Sequence, residues 1–308
     1  MVIHSDDNRA GSPLRRAQSV SITEVGPRDG LQNETRLMPS DEKTELIERL
    51  AGAGCTEIEI TSFTHPKWIP ALADAEEVAR ATGRLGITRF GLVPNRRGLE
   101  RALAAGVEGV TLVMSASEGH NRANLNRSVQ ASLNDLSALH EEARAAGLVT
   151  RVSLSVVFGC PFDGAADLDK VVRLATRLAK AGADRIGLCD TVGMANPLQV
   201  EAFCRRLMEE LPEVDFELHL HDTRGLALAN AYAGWRVGIR RFDGAVGGLG
   251  GCPFAPGASG NVATEALDAM FAAMGVDTGL SAQALGPIGA DLVRWRDCAP
   301  PQGLDASA

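Results

Sequence analysis

Two hydrophobic periods take turns along this chain. Short β-rich runs occupy 20–25, 57–61, 89–93, 109–114, 151–158, 185–189, 216–221 and 242–247, and each predicts a β-strand. Between and after them lie amphipathic stretches of Ala, Leu, Glu and Arg that predict helices near 40–53, 70–82, 96–105, 128–146, 165–180, 197–211, 225–237 and 261–274. Pro39-Ser40 and Asn196-Pro197 open two of these with cap and first-turn residues, and Gly147 and Gly182 close two others. One more helix is predicted over 281–297, beyond the eighth unit.

Strand–helix alternation repeated eight times means a parallel sheet, because each right-handed crossover returns the chain to the same edge. A closed (β/α)8 barrel and a doubly wound open sheet both satisfy that order. The faces of the strands decide between them. Along 216–221, Phe216, Leu218 and Leu220 share one face while Glu217, His219 and His221 share the other. Ile58 and Ile60 oppose Glu57 and Glu59 in the same way, and Val152, Leu154, Val156 and Phe158 oppose Arg151, Ser153 and Ser155. An open sheet covered by helices on both faces would bury those polar rows against apolar helices, whereas a barrel gives them an upper lumen. The fold expected is therefore an α/β TIM barrel with an additional C-terminal helix, a single catalytic domain over 18–298 between a disordered tail at 1–17 and a frayed tail at 299–308.

Composition narrows the function. The 308 residues are 45% apolar and only 4% aromatic, with 33 glycines, which suits small-residue packing of helices on a parallel sheet. A net charge of −8 excludes a phosphate-binding face that would dominate the balance, so no nucleic acid is expected as a partner. The densest basic patches, Arg96-Arg97 and Arg240-Arg241, read either as solvated surface or as grips for a coenzyme phosphate. Six scattered cysteines without paired spacing argue for a reducing compartment, and no run approaches the roughly eighteen apolar residues needed to cross a bilayer. A cytoplasmic enzyme without membrane contact is expected.

The chemistry concentrates at strand ends. His219-Leu220-His221 puts two imidazoles on one face about 7 Å apart along the strand, close enough for one cation to sit between them, at the end of a barrel strand where active sites form. The first strand ends in a segment that brings Arg28 and Asp29 to the same rim, a structural ion pair if alone and an anionic ligand if the imidazoles converge on it. Glu59 and Asp190 add carboxylates at that end. After the eighth strand comes a glycine-dense loop containing Cys252. It is no dinucleotide fingerprint, which follows the first strand; Gly247, Gly248, Gly250 and Gly251 instead allow a loop to open and close, carrying Cys252 over the site.

Five motifs together, VGPRDGLQNE at 25–34, EITSF at 59–63, CDTVG at 189–193, HLHDTRG at 219–225 and GGLGGCPFAPGASGNVATE at 247–265, make the chain resemble the 3-hydroxy-3-methylglutaryl-CoA lyase family of metal-dependent barrel lyases. The resemblance runs from about Ser21 to Met274. It implies Mg2+ or Mn2+ held by Asp29, His219, His221 and Asn261, catalytic positions at Arg28, Glu59 and Cys252, substrate contacts from Arg28 and Gln32, and a homodimer; Asp190 joins Glu59 as a carboxylate that handles the proton or supports the groups that do. The implied reaction is retro-Claisen cleavage of an acyl-CoA to acetyl-CoA and acetoacetate, as in leucine breakdown and ketone-body formation. Two positions depart from the family: Gly119-His120-Asn121 replaces an apolar or aromatic pair after Ser117-Glu118, and Thr35 replaces a lysine. Both point to a related 3-hydroxyacyl-CoA, such as citramalyl-CoA, as the alternative substrate. A Claisen-type condensing acyltransferase shares the barrel and the His pair but lacks this cysteine loop.

Overall fold

The eight β-rich runs become eight parallel strands that close on themselves: β1 (Ser21–Glu24), β2 (Glu57–Ser62), β3 (Thr88–Val93), β4 (Gly109–Ser115), β5 (Val149–Ser155), β6 (Arg185–Asp190), β7 (Asp215–Leu220) and β8 (Arg241–Gly244). Each pairs with its sequence neighbours, and β8 pairs with β1 from Ser21↔Arg241 to Glu24↔Gly244 to seal the ring. The computed structural model describes residues 19–34, 36–250 and 260–298. Both expected tails, the Thr35 substitution and Cys252 lie outside the described residues.

Among the described residues, ten helices surround the barrel: α1 (Ser40–Gly52), α2 (Ala75–Ala81), α3 (Arg96–Ala105), α4 (Glu118–Leu125), α5 (Val129–Ala145), α6 (Leu168–Lys180), α7 (Pro197–Glu210), α8 (Ala227–Val237), α9 (Thr264–Ala273) and α10 (Ala282–Asp297). Asn196 caps α7 by accepting from the Gln199 amide, as its sequence position predicts. Ser40 does not cap α1. Its hydroxyl donates instead to Asp74, whose carboxylate also takes the buried Lys43 ammonium at 2.7 Å. That cluster sits where the helix expected over 70–82 divides into a 3-10 turn at Pro70–Leu72 and α2.

Three local features escape the periodicity. Helix α4 follows β4 without an apolar stripe; Ser117 caps it by accepting from the His120 amide. Strand β5 stops at Ser155 rather than at 158, because Val156 takes a left-handed φ of 55° that ends the alternation. A two-residue ribbon, Gly159–Cys160 against Gly164–Ala165, occupies the loop that follows.

Helix-facing residues such as Ile58, Ile60, Val110, Leu112, Val152, Leu154, Ile186, Leu188, Phe216 and Leu218 form the buried apolar layer. Barrel lumens are ordinarily filled by branched apolar side chains. This one is ionic well below its mouth, a larger departure than a polar upper lumen. The Arg185 guanidinium meets Glu57 at 2.7 Å and Glu217 at 2.9 Å; Arg151 meets Glu217 at 3.2 Å and also pairs with Glu59. Both guanidiniums lie 5.5 Å from the centre of the Phe90 ring, which packs where a side chain on Gly109 would collide with it.

Topology also separates the two arginine pairs. Arg96-Arg97 opens α3 directly after β3, on the face where the C-terminal strand ends converge, and Arg96 pairs there with Glu142. Arg240 precedes β8 at the opposite end, stacks on Trp235 and donates to the Trp235 and Ile239 carbonyls, so it is a structural arginine.

Candidate active site

The chain leaves β1 through a single π-helical turn, Gly26–Gly30, in which the amides of Arg28, Asp29 and Gly30 all point at the Val25 carbonyl. The turn aims Arg28 and Asp29 over the mouth. Glu24, at the end of β1 and 0% exposed, braces it from behind: one carboxylate oxygen accepts from the amides of Gly26 (2.7 Å) and Val246 (3.1 Å), the other from the Thr264 hydroxyl (2.6 Å). A Cβ at Gly26 would lie 2.6 Å from that carboxylate, so any larger residue there would have to displace the brace. Glu24 was missed in the sequence; its only signal is an acid on the Ile22 side of β1, where helix-facing residues are apolar.

Burial pushes the Glu24 carboxyl up to about 7, against the three donors that lower it. A carboxyl raised on folding contributes stability below its unfolded value near 4.5, and that contribution is lost as pH climbs through about 7. We therefore expect part of the wild-type loss of stability between pH 5 and pH 8, of the order of a few kcal/mol, to be absent in Glu24→Gln, whose amide oxygen can still accept from the Gly26 and Val246 amides while its NH2 donates to the Thr264 hydroxyl. Urea unfolding at the two pH values measures it; equal pH slopes in both proteins would show that Glu24 does not titrate in this window.

Asp29, His219 and His221 converge as the sequence predicts: one ligand atom from each lies within 4.8 Å of the others. His219 on β7 and His221 just past its end supply the two imidazoles, with ring centres 5.1 Å apart. His219 Nδ1 is 2.7 Å from Asp243 on β8, so the ring donates from that nitrogen and presents Nε2 to the site. Asn261 joins the group through an antiparallel bridge to His221; its Nδ2 donates to Asp29 at 2.8 Å and to the Leu249 carbonyl at 3.0 Å. Gly250 makes that approach feasible, with φ at 94° and room for no Cβ, which would lie 2.6 Å from Asn261 Nδ2. In the described part of the loop the glycines thus serve left-handed backbone and close packing.

The donor set fits a divalent cation. Asn261 Oδ1 and His221 Nδ1 are buried and find no hydrogen-bond partner among the described residues. Burial tends to raise Asp29, but Arg28, His219 and His221 together hold it well below the usual carboxylate range. Burial lowers His219 while Asp243 raises it further, to about 9, so the surroundings favour positive charge at that ring; burial and the neighbouring His219 push His221 down to about 4, leaving it a neutral donor.

Arg28 donates through Nε to Glu59 at 2.5 Å and pairs through Nη1 with Asp29. Both oxygens of Glu59 are taken, one by Arg28 and the other by Arg151, and although burial works to raise it these cations keep it ionised. Asp190 stands apart from the three converging ligands. It shares the helix-facing side of β6 with Ile186 and Leu188, and its carboxylate accepts from the amides of Met194 (2.8 Å) and Ala195 (3.1 Å). Burial lifts it to about 6 in spite of those bonds. Gln32 is half-buried just after the first turn. His120 is buried at the mouth of β4, with Nδ1 2.8 Å from the Ser115 hydroxyl.

Comparisons with known proteins agree with this geometry. The family model described as HMGL-like matches residues 19–292. The hydroxymethylglutaryl-CoA lyase YngG of Bacillus subtilis is 48% identical over 269 residues, covering 87% of this chain and 90% of the relative. The (R)-citramalyl-CoA lyase of Chloroflexus aurantiacus is 46% identical over 279 residues, 87% and 88% of the two chains. Among solved structures, an HMG-CoA lyase from Acinetobacter baumannii in complex with coenzyme A and 3-methylmalate superposes with a TM-score of 0.86 at 40% identity, covering 94% of this chain and 95% of that one. Fold and site therefore define a carbon–carbon lyase built on a (β/α)8 barrel. The chain belongs to the HMGL-like family.

Proposed function

We propose that this enzyme cleaves 3-hydroxy-3-methylglutaryl-CoA to acetyl-CoA and acetoacetate with the help of Mg2+ or Mn2+. The observation that carries the reading is the convergence of Asp29, His219 and His221 within 4.8 Å beside the Arg28 guanidinium. Those three side chains and Asn261 Oδ1 would hold the cation, which when bound supplies a Lewis acid for the tertiary hydroxyl and a neighbouring substrate oxygen. A general base takes the proton of the tertiary hydroxyl. Loss of that proton lets the oxygen form a ketone as the adjacent carbon–carbon bond breaks, and the electron pair moves into the thioester as an enolate. Arg28, fixed by Glu59, offers positive charge to the enolate oxygen. Cys252 delivers a proton to the enolate carbon, completing acetyl-CoA.

A cytoplasmic homodimer acting in leucine breakdown and ketone-body formation goes with this reading. Cys252→Ser is expected to lower turnover about 10²–10⁴-fold with the fold intact, because a hydroxyl is a far weaker proton donor than a thiol. Wild-type turnover in the purified variant would remove the cysteine from the mechanism.

A second substrate is favoured by the near-equal identity to the citramalyl-CoA lyase and by the buried imidazole of His120 where the family places apolar groups. Citramalyl-CoA would break by the same steps to acetyl-CoA and pyruvate. A panel of 3-hydroxy-3-substituted acyl-CoA thioesters assayed with Mg2+ decides: acetoacetate release supports the first reading, pyruvate release the second, and no acetyl-CoA from any member defeats both.

A further inference from the structure

We propose that Arg151 is the positioning residue that fixes the Arg28 half of the site to the His219 half, so that enolate stabilisation and cation binding depend on a single buried guanidinium. Arg151 opens the inward face of β5 and is 2% exposed. One terminal nitrogen pairs with Glu59 Oε2, whose other oxygen holds Arg28 Nε at 2.5 Å. The second terminal nitrogen lies 3.2 Å from Glu217 and 3.6 Å from Asp243, and Asp243 holds His219 Nδ1 at 2.7 Å. Its Nε donates to Thr111 at 2.8 Å, which fixes the plane of the fork. Thr111 in turn donates to Glu59 at 3.2 Å, closing a ring of three groups around the carboxylate behind Arg28.

Geometry explains why an arginine is required. Its planar fork presents donors in fixed directions to two carboxylates at once, whereas a lysine is a point charge on a flexible stem and satisfies one of them well. Carboxylates that hold a ligating imidazole influence cation affinity by about 10–100-fold when disturbed, so displacing Asp243 through Arg151 is expected to reach the cation site without touching a ligand.

The inference rests on the proposed lyase activity, and the experiment separates the two. Full-length wild type, Arg151→Lys and Arg151→Met are compared by calorimetric titration with Mn2+ alone and by steady-state acetyl-CoA release from the substrate identified for the wild type. Arg151→Lys is expected to weaken Mn2+ binding about tenfold and to lower kcat about tenfold or more, with KM within about threefold of wild type. Arg151→Met, which leaves Glu59 and Glu217 short of a counter-charge, is expected to lose more on both counts; should it fail to fold, the lysine variant decides alone. A lysine variant with lowered thermal stability but wild-type Mn2+ affinity and kcat would make Arg151 merely structural and overturn the proposal. So would a change in only one of the two quantities, since the guanidinium would then serve one half of the site. Failure of the lyase reading itself appears separately, as a wild type that neither binds Mn2+ nor releases acetyl-CoA.

Discussion

Replacing Arg28 with Met is expected to lower kcat about 10²–10³-fold while leaving Mn2+ binding at least as tight as in the wild type. The guanidinium is the only cation that the first turn aims into the mouth, and Glu59 holds it there at 2.5 Å. Charge placed in advance where an enolate oxygen develops counts most in the transition state, so the loss falls on kcat and little on KM. Arg28 also pairs with Asp29, and removing it takes a positive charge away from a carboxylate offered to the cation. Steady-state kinetics and Mn2+ titration on the same preparation test both halves. A variant with unchanged kcat would leave enolate stabilisation to some other group, and a variant that fails to bind Mn2+ would make Arg28 an organiser of the cation site.

His219→Ala carries the other large effect: we expect Mn2+ affinity to fall more than about 100-fold and turnover to fall with it, partly restored by excess metal, with an unchanged circular dichroism spectrum. The imidazole is held by Asp243 at 2.7 Å with Nε2 left for the site, which is the arrangement of a ligand whose orientation is set from behind. Its loss removes a donor and strips Asp243 of its closest partner, although Arg151 stays within 3.6 Å. Mn2+ binding equal to wild type would exclude His219 from the ligand set and, with it, the proposed role of the Asp29–His219–His221 cluster.

The barrel and most of its site were legible in the chain for one physical reason. A strand buried on one side by helices and on the other by a polar lumen must alternate, so Phe216, Leu218 and Leu220 against Glu217, His219 and His221 state both the closure and the direction of the imidazoles. Parity alone also brings Glu59 and Arg151 inside. Where the chain bends, parity says nothing. The turn at Gly26–Gly30, the left-handed Val156 that cuts β5 short, and the capped but stripeless α4 are decided by single residues and their caps, below the reach of any period.

By itself the sequence determined the order and sidedness of the elements, and hence that Asp29, His219 and His221 would meet at one mouth, because apolar periodicity leaves a strand no other way to face. Only the tertiary structure decided what those residues lean on. The carboxylate of Asp243 behind His219, the brace of Glu24 beneath the first turn, and the guanidinium of Arg151 between Glu59 and Glu217 are contacts between residues from 24 to 240 positions apart. Charges so distant in the chain acquire meaning only when closure of the sheet removes them from water and forces each to find its counter-charge.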